Sequence, residues 1–215
     1  WFMDESKMTL HIGIEHHDQR SDDWHEARLG RITASRIYDV ISKTAKGTYT
    51  SKRDDYAFQL AAERLTGVPT KSYTNDAMLW GIEQEANALD FYAEFYGHDI
   101  KQAPFIIHRN MAFCGASPDG IVNDEFLVEI KCCQTNTFLR IRHDKVAPPQ
   151  YVAQCQFQMA VTGAPKVDLF FYDPRIIDPA KQFMLFKIKR DEEMIANIEH
   201  EVALFNDYIN QITQE

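Results

Sequence analysis

The first hundred residues place their apolar side chains mainly at helical spacing. Ser21 precedes Asp22-Asp23 and then Trp24, Ala27 and Leu29, with Gly30 beyond, the pattern of a short helix capped at its start and closed by glycine. Ile37, Val40 and Ile41 predict a second helix, and Tyr56, Leu60, Ala61 and Leu65 a third that Gly67-Val68-Pro69 stops. Between these two helices the polar segment 44–51, with Gly47 and scattered bases, reads as a mobile loop. A longer helix is predicted from about Asn75 to Tyr96, with Leu89, Tyr92 and Tyr96 on one stripe and Gly97 as its terminator. Up to Gly97 the chain reads as all-helical.

Beyond Gly97 the period shortens to that of strands. Phe105-Ile106-Ile107, Met111 to Ala116 and Phe126 to Lys131 are short β-type runs, with Pro118-Asp119-Gly120 and Asn123-Asp124 as turns, and together they predict a meander. Pro148-Pro149 opens a helix through Val152, Cys155 and Met159 that Gly163 closes, and strands follow at 167–172 and 183–189. Asp191-Glu192-Glu193 favour a helix start, and Met194, Ile198, Val202, Phe205, Ile209 and Ile212 step by three and four, as a packed final helix requires. No repeat, low-complexity tract or interdomain linker interrupts the chain. The expected architecture is α/β, one domain over 1–215 with a mixed central β-sheet flanked by helices. It divides into an arm (1–20), a mainly helical part (21–97), a sheet part (98–190) and a closing helix (191–215).

Composition supports a folded chain: 45% of the 215 residues are hydrophobic and 26% charged, enough apolar material for a sizeable core. No apolar run approaches the roughly 18 residues of a spanning helix, and the first twenty residues carry acids and histidines where a secretory segment would be apolar. The four cysteines, Cys114, Cys132, Cys133 and Cys155, show neither CxxC spacing nor disulfide-scaffold density. These features lead us to expect a soluble cytoplasmic protein with reduced thiols and no membrane attachment. The chain starts Trp1-Phe2-Met3, and its first two residues are assigned no function.

A net charge of −9 argues at first against nucleic acid, but the acid is unevenly placed. Seven of the 32 acids lie in 191–215 with no Lys or Arg, leaving 25 acids against 23 bases, or −2, for residues 1–190. Clusters at Arg28/Arg31/Arg36, Lys43/Lys46/Lys52/Arg53 and Arg140/Arg142/Lys145 can track phosphates if the fold gathers them, or be ordinary solvated surface if it does not.

The stretch richest in chemistry is Ser117-Pro-Asp-Gly, eight residues, then Glu129-Ile130-Lys131. Side chains alternate along a strand, so Glu129 and Lys131 share one face while Phe126, Val128 and Ile130 form the buried one. With Asp119 in the turn leading into the neighbouring strand, its carboxylate can approach Glu129, and two close carboxylates make a hard-oxygen site for Mg²⁺. Lys131 beside them can orient or deprotonate a water or stabilise charge developing on a phosphate, which describes phosphodiester hydrolysis. By spacing alone, an ordinary Pro-Asp-Gly turn and a solvated Glu-x-Lys face fit equally.

The surrounding motifs separate these readings. The arrangement resembles the PD-(D/E)xK nuclease superfamily, with its restriction-endonuclease-like core, and in its wider context the phage lambda exonuclease family of viral recombination nucleases. The resemblance covers nearly the whole chain. It rests on Trp24-His25 with Arg28-Leu29-Gly30 and Ile32-Thr33-Ala34-Ser35, on Trp80-Gly81 with Glu85, on Ser117-Pro-Asp-Gly, on Glu129-Ile130-Lys131, and on Tyr151-x-x-Gln154-x-Gln156. It implies that Asp119 and Glu129 hold Mg²⁺, with Mn²⁺ able to substitute, that the Ile130 carbonyl is a further ligand and Lys131 the catalytic lysine, and that Glu85 assists near the attacking water. Arg28, Ser35, Ser117 and Gln154 match positions that gather a terminal 5′-phosphate, where a guanidinium fork completed by neutral donors makes chemical sense. Taken alone, Arg28 reads as a surface ion pair and Ser35 as a helix-start hydroxyl. Tyr151 borders the same helix face or is a half-buried core residue, and Trp24 stacks on DNA or anchors the first helix in the core.

The resemblance further implies a 5′-to-3′ exonuclease acting on double-stranded DNA ends, a homotrimer ringing the duplex, and a single-strand annealing protein as partner, in a phage or prophage setting. An endonuclease on the same fold, or a non-catalytic DNA-binding subunit, are the alternatives. His11, His16, His17 and His25 show no zinc spacing with any cysteine. The absence of cysteine before Cys114 leaves no room for the four-cysteine iron–sulfur cluster of some superfamily relatives.

Overall fold

The computed structural model describes residues 10, 19, 21–70 and 75–214. Five helical elements and strands fill the first half of the chain: α1 (Asp22–Arg28), β1 (Ile32–Thr33), a 3-10 turn (Ala34–Arg36) leading into α2 (Ile37–Ile41), α3 (Ser51–Thr66) and α4 (Asp76–Tyr96). There follow β2 (Ile100–Lys101), β3 (Ile106–His108), β4 (Met111–Ala116), β5 (Gly120–Val122) and β6 (Phe126–Lys131). The last part holds α5 (Thr135–Asp144), α6 (Pro149–Thr162), β7 (Lys166–Tyr172), β8 (Phe183–Lys189) and α7 (Glu192–Gln214). The Ser21 and Asn75 side chains accept from the first-turn amides of Trp24 and Met78, and Gly97, at φ 66°, lets the chain leave α4 in the left-handed conformation.

The strands divide between two mixed sheets flanked by helices. One has the order β1-β4-β3, with β1 parallel and β3 antiparallel to β4; the other runs β2-β5-β6-β7-β8, antiparallel except for the β6–β7 pair. The expected meander is therefore two hairpins, β3–β4 and β5–β6, parted where Ser117-Pro118-Asp119 carries the chain from one sheet to the other. The parallel β6–β7 step needs a long crossover, which α5 and α6 supply.

Helix α6 lies at the centre. Ala153, Phe157 and Val161 pack with α2, α3 and α7, whereas Cys155 and Met159 pack with Leu127, Leu169 and Phe171 of the larger sheet. Helix α4 covers that sheet's other face, where Tyr92 and Ala88 meet Val128, Ile130 and Phe170. Both faces of β6 are thus buried, and the expected division into a buried face and an open one fails: Glu129 is only 2% exposed. A helix enclosed on nearly every side must find partners for its polar groups inside the protein, which bears directly on Gln154, Gln156 and Gln158.

Other expectations change locally. The region before Gly97 is not all-helical, because Ile32–Thr33 adds a parallel strand to β4. Leu65, expected on the inner stripe of α3, is 66% exposed, and Arg53, Tyr56, Ala57, Leu60 and Ala61 take the inner positions. Segment 44–51, read as a mobile loop, begins as a tight turn bridged by Lys43 and Tyr49, with the Thr44 amide donating to the Thr48 carbonyl at 2.7 Å. Helix α5 escapes the periodicity reading because only Phe138 and Ile141 of its ten residues face inward. All four cysteines are free. No described helix is long and apolar enough to cross a membrane. His11, His16 and His17 lie outside the described residues.

Candidate active site

The β5–β6 hairpin brings the two acids together. Gly120 pairs with Val128, so extending the register by one residue sets Asp119 opposite Glu129. Asp119 Oδ2 accepts the Ile130 backbone amide at 2.7 Å, which pins its carboxyl against β6. A Cβ on Gly120 would lie 2.5 Å from Ile100 Cγ2 and 3.0 Å from Val128 Cγ1, so only a glycine lets the strand follow Asp119 this closely between its neighbours. Gln19 braces the same turn by donating to the Pro118 carbonyl at 2.8 Å and to the Ala103 carbonyl at 3.2 Å.

Glu129 is the best-bonded acid of the group. Its Oε1 accepts from Lys131 Nζ at 2.5 Å and Gln154 Nε2 at 2.6 Å, and its Oε2 accepts from Gln158 Nε2 at 2.5 Å. Burial, then the Glu129 charge, hold the Asp119 carboxyl well above the usual carboxylate range, with Glu85 adding to the effect and Lys131 opposing it. Burial also works against charge on Lys131, but Glu129 and Asp119 outweigh it and raise its pKa, so Lys131 stands here as an ammonium. The Tyr151 ring lies 5.1 Å from Lys131 Nζ and packs edge-on to Phe171, a half-buried position beside the lysine.

Glu85 comes from α4 on the opposite side. It lines, with Asp119, a cavity of about 540 Å³ that continues along α4 past Leu89 and Asp90 to Asp99 and Ile100. Among the described residues no three His, Cys, Asp or Glu side chains close into a ready-made metal cluster. The donor set nevertheless suits a hard cation. Two facing carboxyl groups, whose burial and mutual repulsion disfavour charge, gain from a divalent ion, and Mg²⁺ keeps several waters and takes only one or two protein carboxylates. The cavity leaves space for those waters. Ile130 contributes its amide to the pair, while its side chain faces the α4 side of the sheet.

A second group of residues gathers two positions before Asp119. Trp24 Nε1 donates to Ser117 Oγ at 2.9 Å, and the Arg28 guanidinium lies 4.1 Å above the Trp24 ring and 5.6 Å from that of Phe105. Burial lowers the Arg28 pKa, with Tyr56 and Glu63 opposing, and among the described residues the guanidinium has rings around it. A partly desolvated cation in that state is a place for an anion. Phe105 in turn packs on Gly115, where a Cβ would lie 2.6 Å from its Cζ and 2.5 Å from the Ile106 carbonyl oxygen. Thr33 pairs with Gly115, so Ser35 and Ser117, each two residues further on, leave the parallel β1–β4 pair at the same end; Ser35 Oγ lies 3.3 Å from Thr33 Oγ1.

The structure thus brings together Arg28, Trp24 and Ser117, with Ser35 near them, and separately Asp119, Glu129, Lys131, Tyr151 and Gln154. Gln154, expected beside the phosphate donors, spends an amide hydrogen on Glu129, although its helix does pack against the 34–36 turn. Trp24 is no core anchor, since α1 has no buried residue; it is the platform under Arg28. Gln156 stands off the site, donating to the Lys189 carbonyl and accepting the Asp191 amide. Gln158 escaped the sequence reading altogether, and its signal was available: it lies one helical turn after Gln154. Half of the ten clustered bases are spent internally, Arg53 among them on the Val40 carbonyl. Arg31 donates to the Ala27 and Ala112 carbonyls, Arg36 pairs with Asp39, Lys43 pairs with Glu201, and Arg142 donates to the Phe183 carbonyl.

Residues 23–165 match the family model of the YqaJ-like viral recombinase domain. The structure is similar to an alkaline exonuclease, LHK-Exo, from Laribacter hongkongensis, with TM-score 0.82 at 36% identity over 90% of this chain and 95% of that one. It matches a structure of LHK-Exo in complex with dAMP equally well, at 37% identity over the same shares and TM-score 0.82. A phage-related exonuclease from Haemophilus somnus 129PT shares the fold, with TM-score 0.66 at 16% identity over 86% of this chain and 95% of that one. A search of curated proteins finds no match.

Proposed function

The chain belongs to the YqaJ-like viral recombinase family, and from that membership and its acid pair we propose that it is a Mg²⁺-dependent 5′-to-3′ exonuclease. It degrades one strand of linear double-stranded DNA and leaves 3′ single-stranded tails for homologous recombination. The observation that carries this reading is the pair of facing carboxylates, Asp119 and Glu129, with Lys131 on Glu129. LHK-Exo, a relative by sequence and fold, is an alkaline exonuclease, and the dAMP in one of its structures is a mononucleotide of the kind such digestion releases.

Each residue then has a task. Asp119 and Glu129 would hold the cation, with the Ile130 carbonyl as a further ligand by resemblance, and the bound ion supplies polarisation of the scissile phosphorus–oxygen bond. The Lys131 ammonium offsets charge developing on the phosphate, and Tyr151 limits where that ammonium can go. Glu85, which lines the cavity with Asp119, would assist near the attacking water. Arg28 on its Trp24 platform, with Ser117 and Ser35, receives the terminal 5′-phosphate, which carries more negative charge than an internal diester. Gln154, bonded to Glu129, would help hold that acid. Anchoring the end in this pocket sets the first diester at the acids. By resemblance the working form is a homotrimer around the duplex, with a single-strand annealing protein as partner in the host cytoplasm.

The test is digestion of end-labelled linear duplex, with and without a 5′-phosphate, beside circular duplex, in Mg²⁺ and in chelator. Linear DNA alone should be degraded, its 5′ label released first as mononucleotide, and chelator should stop the reaction. Asp119→Ala and Glu129→Ala should fold by circular dichroism yet be inactive. Lys131→Ala should slow the single-turnover rate more than it weakens DNA affinity. Cutting of the circle would replace this reading with an endonuclease, and inertness towards all substrates with a DNA-binding subunit.

A further inference from the structure

We propose that Gln158 is a positioning residue that fixes which oxygen of Glu129 faces the cation, a role that rests on reading Asp119 and Glu129 as the cation's carboxylates. Gln158 is fully buried in the middle of α6. Its Nε2 donates to Glu129 Oε2, and its Oε1 is buried with no hydrogen-bond partner among the described residues.

That orphaned carbonyl is informative. Of its neighbours on α6, Ala153, Cys155, Phe157, Met159 and Val161 are buried and apolar or nearly so, and an apolar side chain of similar length would fill the same space without an orphaned carbonyl, losing only the donor to Glu129 Oε2. Turning the amide over would satisfy nothing either, because it would set the carbonyl oxygen against the Glu129 carboxylate. The orientation seen keeps the donor on Glu129 and tolerates the unpaired oxygen, so the contact with Glu129 is what the residue supplies.

Counting acceptor positions shows the consequence. An ionised carboxylate offers about four, two on each oxygen. Lys131 and Gln154 take both on Oε1, and Gln158 takes one on Oε2, which leaves a single open direction, on Oε2. Glu129 is thereby prepared to give a cation one oxygen in one direction. The three donors differ in their reach: Lys131 is partly exposed, whereas Gln158 is fully buried and too deep to touch substrate. Groups that orient a metal ligand in this way govern metal affinity. The spacing is specific, since Gln156, halfway between, points to Lys189 and Asp191 instead.

The experiment compares wild type with Gln158→Met, which keeps length and loses the donor, and Gln158→Asn, which keeps the amide but is too short to reach. Mn²⁺ binding to the full chain without DNA is measured by calorimetry, with thermal unfolding in chelator and steady-state kinetics alongside. The expected result for Gln158→Met is Mn²⁺ affinity about tenfold to a hundredfold weaker, a single cooperative unfolding transition in chelator, an unchanged KM for DNA, and a kcat that recovers as Mn²⁺ is raised. If that protein does not fold, Gln158→Asn carries the same expectation for affinity and KM. Wild-type Mn²⁺ affinity in either folded variant would overturn the role. Asp119→Asn provides the separate control: if it binds Mn²⁺ as wild type does, the cation site itself is misplaced and the positioning role falls with it.

Discussion

At the scale of single residues, the proposed pocket for the strand end rests on one guanidinium. Arg28 stacks on Trp24, which is itself held by Ser117, so three side chains from two segments define one anion position. Removing Arg28 takes away a charge-assisted bond, for which a loss of about 1.5–3 kcal/mol is expected, or about tenfold to a hundredfold in rate on 5′-phosphorylated ends. Ends carrying a 5′-hydroxyl should lose less, because they already lack the partner. Initial rates in a double cycle, Arg28→Ala against phosphate removal, check this. Strict additivity of the two losses, or faster digestion from 3′ ends, would show that Arg28 does not read the phosphate.

At the scale of elements, the turn after α2 is tied to α7 by a single acid. Glu201 Oε1 accepts from Lys43 Nζ at 2.8 Å, and Glu201 Oε2 accepts from the Tyr49 hydroxyl at 2.6 Å. Burial alone would raise the Glu201 pKa, but the bonds from Lys43 and Tyr49, with the Lys43 and Arg53 charges, outweigh it and lower it. A carboxyl whose pKa is depressed by folding adds stability above its unfolded value, about 4.3, and loses it as pH falls through the folded value. Glu201→Gln should therefore unfold at a lower temperature than wild type near pH 7, and the gap should narrow below about pH 4. A gap that stays constant through the acid range would mean that the ion pair contributes nothing to the docking of this turn.

At the scale of the whole molecule, one chain of 24.9 kDa offers too little surface to surround a duplex. The proposed ring predicts about 75 kDa by light scattering, three times 24.9 kDa. It also predicts that long linear DNA is digested without release between steps. A strictly monomeric species at micromolar concentration that still degrades long DNA without dissociating would refute the ring. Much of the net charge of −9 comes from the end of the chain, where 191–215 carries seven acids and no Lys or Arg, while Arg28 lies on a different element.

Local sequence determined most of the elements and the kinds of side chain in the candidate site. Ser21, Asn75 and Gly97 mark helix ends through bonds and backbone angles that depend only on near neighbours, and the alternation in 126–131 sets Glu129 and Lys131 on one face whatever lies above it. The short strands β1, β2 and β5 were illegible because two or three residues carry no period, and they exist only through pairing with β4, β5 and β6. Tertiary structure alone decided that the face bearing Glu129 would be buried, since that requires α6 to cross it. It also decided which acceptor positions of Glu129 are filled, that Trp24 lies under Arg28, and that half of the clustered bases bind carbonyls and acids of the protein itself. Each of these is a contact between distant segments, whose energy depends on a distance that no local pattern encodes.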